Sequence, residues 1–353
     1  MSRPLLWQIT PPAERSVGGL TPAIDGMDQM AKAHGWDLIR QQGSIPGKPE
    51  KLPELVHFHG LWEIRHWRAS RWCQRHGIPY LVSPHGMLEP WALSHRGWKK
   101  SIYLRLIERS HLLGARAIVT TSDLEAGNVS RLLPAAHIHV APLGMEPPPM
   151  TDRTQLRQKL NLPPDRPLLL FLSRIDPKKG LPHLLRALAA TPLAREQNWR
   201  LAVVGPLDTP HARDCRVLAT ELSDQLPQID WLGGVWGEAR FDWLRAADLF
   251  VLPTHSENFG LVVLEALMVG TPVMTTPYTP WAALAGIEGI DLVEPNPESV
   301  ASRLRQGLAP WPSAARDQLA HWARTHYTWS TLVPAYAGIY GANSRRIMGR
   351  DCG

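Results

Sequence analysis

Short apolar segments that alternate with longer helix-like segments constrain the fold of this chain most. Each apolar run is followed by a more polar stretch, which is typical of parallel sheets covered by helices on both faces. We therefore predict an α/β protein with doubly wound sheets. The apolar runs are residues 4–9, 55–60, 80–86, 117–122, 168–173, 201–205, 229–233, 249–253 and 272–276.

A proline-rich segment divides the alternating pattern into two halves. PLGMEPPPMTDRT, residues 142–154, holds four prolines and cannot continue a helix or a central strand. With 353 residues, the chain also exceeds the ~250–300 at which single cores split into domains. We predict two Rossmann-like domains, 1–150 and 151–326. Ligands bind such sheets at the carboxyl ends of the strands, so the residues that directly follow each strand are the candidate site residues.

Charge and cysteine content limit the class of partner. Residues 1–150 contain 17 Lys and Arg against 12 Asp and Glu, whereas the remainder contains 21 against 20. A basic first half suits an anionic acceptor, lipid headgroups or simply a solvated surface. No nucleic-acid-binding module is recognisable, so no nucleic acid is expected. The three cysteines have no metal-ligand spacing, and no signal segment is evident, which predicts a cytoplasmic protein.

SENFGLVVLEALMVGTP, residues 256–272, places two glutamates at and after a strand exit. Glu257 precedes a predicted helix, and Glu265 lies within its apolar run. A buried carboxylate is costly unless it is paired or hydrogen-bonded, and a ribose diol would supply two donors. Glu257 could accept bonds from sugar hydroxyls. The alternatives are that Glu257 interacts with the helix dipole and that Glu265 forms a salt bridge.

SRIDPKKGL, residues 173–181, places cations between a strand and a helix. Arg174 follows the strand, and Lys178 and Lys179 precede the helix. Cations at a helix N-terminus oppose its dipole, so an anion such as a diphosphate would explain their presence. The alternative is a solvated basic turn.

These two motifs resemble the donor-binding signature of the family 4 retaining glycosyltransferases of GT-B fold. The resemblance implies that Glu257 contacts the donor sugar and Glu265 the nucleotide ribose. It implies that Arg174 and Lys179 bind the donor phosphates. It also implies two facing Rossmann-like domains with a donor-binding cleft.

The segment between the two glutamates completes the donor site that the resemblance implies. Backbone amides around Phe259, Gly260 and Leu261 would face the sugar and phosphate. Asn258 belongs to the same donor-binding segment but occupies a variable position of the family pattern, so it receives no specific role.

The first half supplies further candidates. Gly18 and Gly19 follow the first strand. Glycines there could let the backbone approach a phosphate or sugar closely, and the alternative is a plain turn. The resemblance places His85 close to the transferred sugar. HFHGLW places His57 and His59 at a similar strand exit, nearer the expected acceptor side, and the alternative for His59 is a purely structural role. Glu125, in the resembling TS-x-x-E stretch, is either structural or close to the donor.

The resemblance extends to the end of the chain and to the pathway. Residues 327–340 resemble a closing segment in which a helix, about 327–345, crosses back to the first domain. Family members of this kind commonly serve surface polysaccharide synthesis, including exopolysaccharide, O-antigen and lipopolysaccharide. The expected partners are a nucleotide-diphosphate sugar and a glycan or lipid-linked glycan acceptor, with peripheral contact to the inner membrane.

The expected reaction is hexosyl transfer with retention and without a metal or other cofactor. There is no Asp-x-Asp motif, and Arg174 and Lys179 would stabilise the leaving diphosphate instead. The catalytic candidates are therefore His85, Arg174, Lys179 and Glu257. The alternatives are a nucleotide-sugar 2-epimerase of the same fold and a non-catalytic sugar-binding protein. A nicotinamide dehydrogenase is disfavoured because the Gly-x-Gly-x-x-Gly fingerprint is absent.

Overall fold

The structure is a computed structural model that describes residues 3–12, 19–43, 45, 51–94, 97–308 and 310–341. The chain divides into two compact units. Unit 1 comprises the residues up to Glu146 together with those from Tyr327 onward, and unit 2 comprises Pro147–His326. Residues 141–152, which contain most of the proline-rich segment, form neither helix nor strand. The Gly18 position lies outside the described residues.

Unit 1 is built on a six-stranded parallel sheet of order β2-β1-β3-β4-β5-β6. The four inner strands are almost entirely buried, as expected for a sheet covered on both faces. The strands are β1 Leu5–Thr10, β2 Asp37–Gln42, β3 Leu55–His59, β4 Tyr80–Ser83, β5 Ala117–Thr120 and β6 Ile138–Val140. The helices are α1 Leu20–Ala33, α2 Ile64–Arg75, α3 Pro90–Ser94, α4 Gly97–Tyr103, α5 Arg109–Leu113 and α6 Asp123–Leu132.

A π-helical turn, Leu104–Glu108, joins α4 to α5 in one continuous helical run. The run exposes Trp98, Ile102 and Leu106, four residues apart, with 69, 51 and 71% of their surface accessible. Large apolar side chains exposed in a row on one helical run are uncommon on a solvated surface. The run therefore has an apolar outer face, which is named here the 98–106 row.

The end of the chain completes unit 1. It contains α15 Trp329–Leu332, a 3₁₀ turn Val333–Tyr336 and α16 Ala337–Tyr340. The carbonyl of Tyr340 accepts a bond from the indole of Trp36 at 2.8 Å, and its hydroxyl lies 2.7 Å from Nδ1 of His57. A Cβ on Gly26 of α1 would lie 1.6 Å from the ring of Trp329, so helix and ring are in close contact.

Unit 2 is built on a second six-stranded parallel sheet, of order β12-β11-β10-β7-β8-β9. The strands are β7 Leu168–Leu172, β8 Arg200–Val204, β9 Gln228–Gly233, β10 Leu249–Val251, β11 Val273–Thr275 and β12 Ile290–Leu292. The helices are α7 Arg153–Lys159, α8 Leu181–Ala189, α9 Leu193–Glu196, α10 Pro210–Glu221, α11 Ala239–Ala246, α12 Leu261–Met268, α13 Pro297–Leu304 and α14 Ser313–Tyr327.

The two sheets confirm the predicted doubly wound α/β architecture of GT-B type. All nine apolar runs contain strands. Three edge strands, β2, β6 and β12, were not predicted.

Candidate functional site

The strand order of unit 2 reverses between β7 and β10. β7 pairs with β8 on one side and with β10 on the other, and the chain moves outward in both directions from this point. In open α/β sheets such a topological switch point leaves a crevice beyond the carboxyl ends of the strands. The two sequence motifs follow these two strands, so the topology brings them together.

Lys179 and Glu257 meet at this switch point. The Nζ of Lys179 is bonded to Oε1 of Glu257, and the side chains of both residues are almost fully buried. The hydroxyl of Thr254 donates to the same carboxylate oxygen at 3.3 Å. Burial alone would raise the pKa of Glu257, but the charges of Lys179 and Lys178 hold it below its usual value. The site therefore contains an ionised carboxylate paired with a cation.

Two glycines let the backbone approach closely around this pair. Gly180 has φ +74° between the 3₁₀ turn Pro177–Lys179 and α8, and a Cβ there would lie 2.1 Å from the carbonyl oxygen of Pro253. Gly260 has φ +73° at the start of α12. Left-handed conformations of this kind favour glycine. Both motifs thus turn sharply from a strand exit into a helix.

Glu265 is largely buried on α12 and is paired with Arg240 of α11. The Nε of Arg240 lies 3.0 Å from Oε1 of Glu265. Burial raises the pKa of Glu265, and the interaction with Arg240 counters part of that rise. The salt bridge that is the alternative to a ribose contact at Glu265 is therefore present. It occupies one oxygen of the carboxylate.

The other predicted donor residues surround these pairs. Arg174 is exposed, and its guanidinium lies 3.5 Å from Asp176. The ring of Phe259 packs edge-to-face on Trp281, and its carbonyl accepts the indole N–H at 2.6 Å. The amides of Gly260 and Leu261 have no acceptor among the described residues and lie at a helix N-terminus, where anions bind. Asn258 lies in the same turn, between Glu257 and Phe259.

Three histidines lie together near the strand exits of unit 1: His59 and His85 are hydrogen-bonded, and His57 packs on His59 with ring centroids 4.2 Å apart. Nδ1 of His59 lies 3.0 Å from Nε2 of His85, and Nε2 of His59 lies 2.6 Å from Oε1 of Gln8. His57 contacts Ser83 at 2.8 Å. Burial lowers the pKa of His85 to about 4 and the pKa of His57 to about 3, and it places the pKa of His59 well below its usual value. The three imidazoles are therefore neutral at pH 7.

His85 is the partly exposed member of the cluster, and its backbone is strained. It has φ +51°, followed by Gly86 at φ +76°. A non-glycine residue in this region is uncommon. Glu125 stabilises the turn, because its carboxylate accepts from the Gly86 amide at 2.7 Å and the Thr121 amide at 2.8 Å. Glu125 therefore has the structural role that was one of its two alternatives.

Gly19 is at the N-cap of α1 with φ −98°, and a Cβ there would meet nothing within 4 Å. The local geometry gives no packing reason for glycine at this position. Its predicted approach to a donor stays a prediction.

Four residues at these sites carried no signal in the sequence. Arg240 has the sequence context of an ordinary charged residue on a helix, and Gln8 lies inside an apolar strand, so neither stands out as a site residue. His183 and His255, whose Nε2 atoms lie 3.1 Å apart, come just after one motif and directly before the other and belong to neither. Among the described residues no group of three His, Cys, Asp or Glu side chains is arranged to hold a metal ion.

Comparison with known families matches both units. Residues 5–144 match the model of the glycosyl transferase 4-like domain, and residues 152–321 match that of the glycosyl transferases group 1. The structure is similar to a sucrose-phosphate synthase from Thermosynechococcus elongatus, with a TM-score of 0.76 at 20% identity, covering 96% of this chain and 98% of that one. This likeness shows the two-domain GT-B fold.

Curated relatives give the family. A D-inositol 3-phosphate glycosyltransferase 2 from Catenulispora acidiphila is 30% identical over 81% of this chain and 72% of its own length. A D-inositol 3-phosphate glycosyltransferase from Xylanimonas cellulosilytica is 31% identical over 70% of this chain. The match spans only 62% of that relative's length. The chain belongs to the group 1 glycosyltransferases.

Proposed function

We propose that this chain transfers a hexosyl group from a nucleotide-diphosphate sugar to an acceptor hydroxyl, with unit 2 binding the donor. The observation that carries the proposal is the buried Lys179–Glu257 pair at the switch point of the unit 2 sheet. A cation and an ionised carboxylate held at one strand exit suit a ligand that has both a diphosphate and hydroxyls. Relatives named as glycosyltransferases support the same reaction class.

Each candidate residue has a role in this proposal. Lys179 and Arg174 stabilise the charge that grows on the diphosphate as the glycosidic bond lengthens, in place of a metal ion. Glu257 accepts bonds from the sugar, and Glu265 from the ribose. The neutral imidazole of His85 exchanges a hydrogen bond with a sugar hydroxyl. Retention of configuration belongs to the proposal through the family resemblance.

A thermal-shift screen tests the donor site. UDP, GDP, ADP, CMP and their common sugar conjugates are added without metal and again with a chelator. A ligand at 100 times its Kd should add ~2.7 kcal/mol to stability. We expect one diphosphate to raise the melting temperature, with or without chelator, and Arg174→Ala to abolish the shift. If no compound shifts the melting temperature, the non-catalytic sugar-binding alternative replaces this proposal.

The ribose role of Glu265 is tested by the donor KM of Glu265→Gln. Hydrogen bonds to a charged group contribute ~1.5–3 kcal/mol, so we expect donor use to fall by roughly 10- to 100-fold. An unchanged donor KM would remove the ribose assignment.

For the acceptor, we propose a glycan or lipid-linked glycan of surface polysaccharide synthesis. A second candidate is an inositol phosphate, which is favoured by the names of the two relatives above. Mass-spectrometric product analysis with both acceptor classes decides between them. Donor turnover that requires an acceptor also excludes the 2-epimerase, which needs none.

We propose that unit 1 makes peripheral contact with an anionic membrane through the 98–106 row. Lys99 and Arg105 lie between these apolar residues, and Arg109 follows on the same helical run. Neither Arg105 nor Arg109 has an ion pair with a described residue, whereas Nζ of Lys100 is bonded to the carbonyl of Ala92 and lies over the ring of Trp62. Basic and apolar side chains together suit an anionic bilayer surface. None of the described helices has both the length and the apolar character needed to span a membrane.

Liposome flotation at low salt tests the contact. We expect binding to vesicles that contain anionic lipid and its loss in Leu106→Glu. Val217→Glu, at another exposed apolar position on α10 of unit 2, is the matched control. Equal flotation of the two variants, or none of the wild type, would contradict the contact.

A further inference from the structure

Nη2 of Arg240 and Oε2 of Glu265 are left open by the pairing of these two side chains within the described part of the chain. Nε of Arg240 bonds Oε1 of Glu265 at 3.0 Å, and Nη1 donates to the carbonyl of Gly237 at 2.9 Å. The guanidinium carbon lies 4.4 Å from the ring centroid of Phe241. Among the described residues, Nη2 of Arg240 and Oε2 of Glu265 have no hydrogen-bond partner, and neither atom is fully buried.

We infer that Arg240 is a positioning residue of the nucleotide site, an inference that rests on the proposed function. It holds Glu265 through Oε1 as an ionised acceptor and fixes the direction of Oε2. A single ribose hydroxyl can donate to Oε2 and accept from Nη2, so the pair recognises both the proton and the lone pair of that hydroxyl. The chemical class of ligand is a ribonucleoside diphosphate, as distinct from its deoxy form.

The charges around Glu265 support this role for Arg240. Helix α12 packs mainly against α11 and β11. β11 carries no titratable side chain, and the remaining charges of α11 are engaged elsewhere: Asp242 with Lys159, and Arg245 with backbone carbonyls. Burial raises the pKa of Glu265, and Arg240 opposes this rise. Without Arg240 the carboxyl would bind a proton more readily and lose its strength as an acceptor.

Binding calorimetry tests the inference. The probes are UDP, GDP and ADP, each with its 2′-deoxy and 3′-deoxy form, at pH 6 and pH 8. For the diphosphate that binds, we expect Arg240→Met to weaken the ribonucleotide about tenfold at pH 8 and further at pH 6. One deoxy form should bind wild type and variant alike. Arg240→Lys should keep the wild-type pH dependence at lower affinity.

Asp242→Asn is the matched control, because it removes an ion pair from the same helix without touching Glu265. It should bind as wild type. If Arg240→Met binds the ribonucleotide as wild type at both pH values, the inference is wrong. It is also wrong if the variant weakens ribo and deoxy forms equally.

A second measurement separates this inference from the proposed function. The melting temperature of Arg240→Met, without nucleotide, should fall more than that of wild type as the pH rises from 5 to 8, because ionisation of an unpaired buried carboxyl opposes folding. Glu265→Gln in the same variant should remove the extra fall. If no diphosphate binds wild type but this result holds, the ion-pair role stands, while the ribose role and the proposed function fail. Identical pH dependence in variant and wild type would overturn the ion-pair role.

Discussion

At the scale of single residues, burial decides how the charged groups of the proposed donor site behave. Lys179 and Glu257 are each more than nine-tenths removed from solvent. A buried ion pair adds little net stability over a well-packed apolar pair, but breaking it leaves an uncompensated charge. The pair is therefore better explained by ligand binding than by folding.

This argument predicts the stability of Glu257→Gln. At pH 7 the variant leaves Lys179 buried without its partner, and we expect the free energy of unfolding to fall by ~3–5 kcal/mol. The double variant Lys179→Met with Glu257→Gln should recover most of the loss. Guanidinium denaturation of the wild type, the single variant and the double variant provides the measurement. A double variant as unstable as the single one would contradict the argument.

The pH dependence of this effect has a defined sign. The pKa of Glu257 is depressed in the folded protein, so its contribution is present above the unfolded value of about 4.3 and is lost as the pH falls through the folded value. The difference between wild type and Glu257→Gln should therefore shrink only in the acid range. A difference that vanished at pH 6 would show that another group titrates.

His85 should remain uncharged throughout the neutral range. Burial lowers its pKa to about 4, so the pH profile of donor turnover should show no inflection from His85 between pH 5.5 and 8. His85→Gln should lower turnover by a factor that is constant across this range. An inflection near pH 6.5 that disappears in the variant would contradict a neutral imidazole.

At the scale of elements, Gly180 sets the angle between the 3₁₀ turn and α8. We expect Gly180→Ala to destabilise the protein by ~1–3 kcal/mol through its left-handed backbone, with a further loss because the new methyl would meet the Pro253 carbonyl. Gly19→Ala is the control, since φ is negative and the space is open. Its cost should stay below about 1 kcal/mol, the usual preference for glycine over alanine at an N-cap. Chemical denaturation of both variants checks the contrast.

The central strands could be predicted from sequence because both faces are buried, which makes each one a continuous apolar run. β2, DLIRQQ, has only two of its six side chains partly buried, and β6 and β12 have three residues each. Edge strands of this kind have too few buried positions for a clear pattern. The π turn in the 97–113 run also has no composition signal, although its extra residue per turn changes which side chains face outward.

The candidate site was predictable where one motif contains the chemistry. Lys179 and Glu257 lie in the segments that connect β7 to α8 and β10 to α12, so strand assignment alone indicated their location. Arg240 and Gln8 became candidates only through contacts with Glu265 and His59, and sequence separation hides such contacts. Glu265 was assigned to the donor ribose, with a salt bridge as the simpler alternative. The structure shows the salt bridge, to Arg240.

At the scale of the whole molecule, unit 1 depends on residues from both ends of the described sequence. Trp329, Tyr336 and Tyr340 are buried in unit 1, and burying each side chain contributes ~1.5–3 kcal/mol. Their sum is comparable with the ~5–15 kcal/mol that stabilises a typical domain. Without residues 327–340, unit 1 would therefore lose a large part of its free energy of unfolding.

We expect a variant that ends at His326 to lose protection in unit 1 alone. Hydrogen exchange followed by mass spectrometry should show faster exchange in β1 and β3 and unchanged exchange in β7 and β10. A variant that ends after Gly341 keeps all of the described contacts and serves as the control. Loss of protection in both units of the first variant would contradict this division.

The return of residues 327–340 to unit 1 also fixes an order of events during protein synthesis. Unit 2 is one continuous stretch and can fold on the ribosome as soon as residue 326 has emerged. Unit 1 begins first but must wait, because the aromatic residues that close its core are translated about 180 residues after the rest of it. The usual vectorial order is thereby reversed: the domain made second is finished first. The nascent first domain must be kept from aggregating for the time needed to translate the whole of its neighbour.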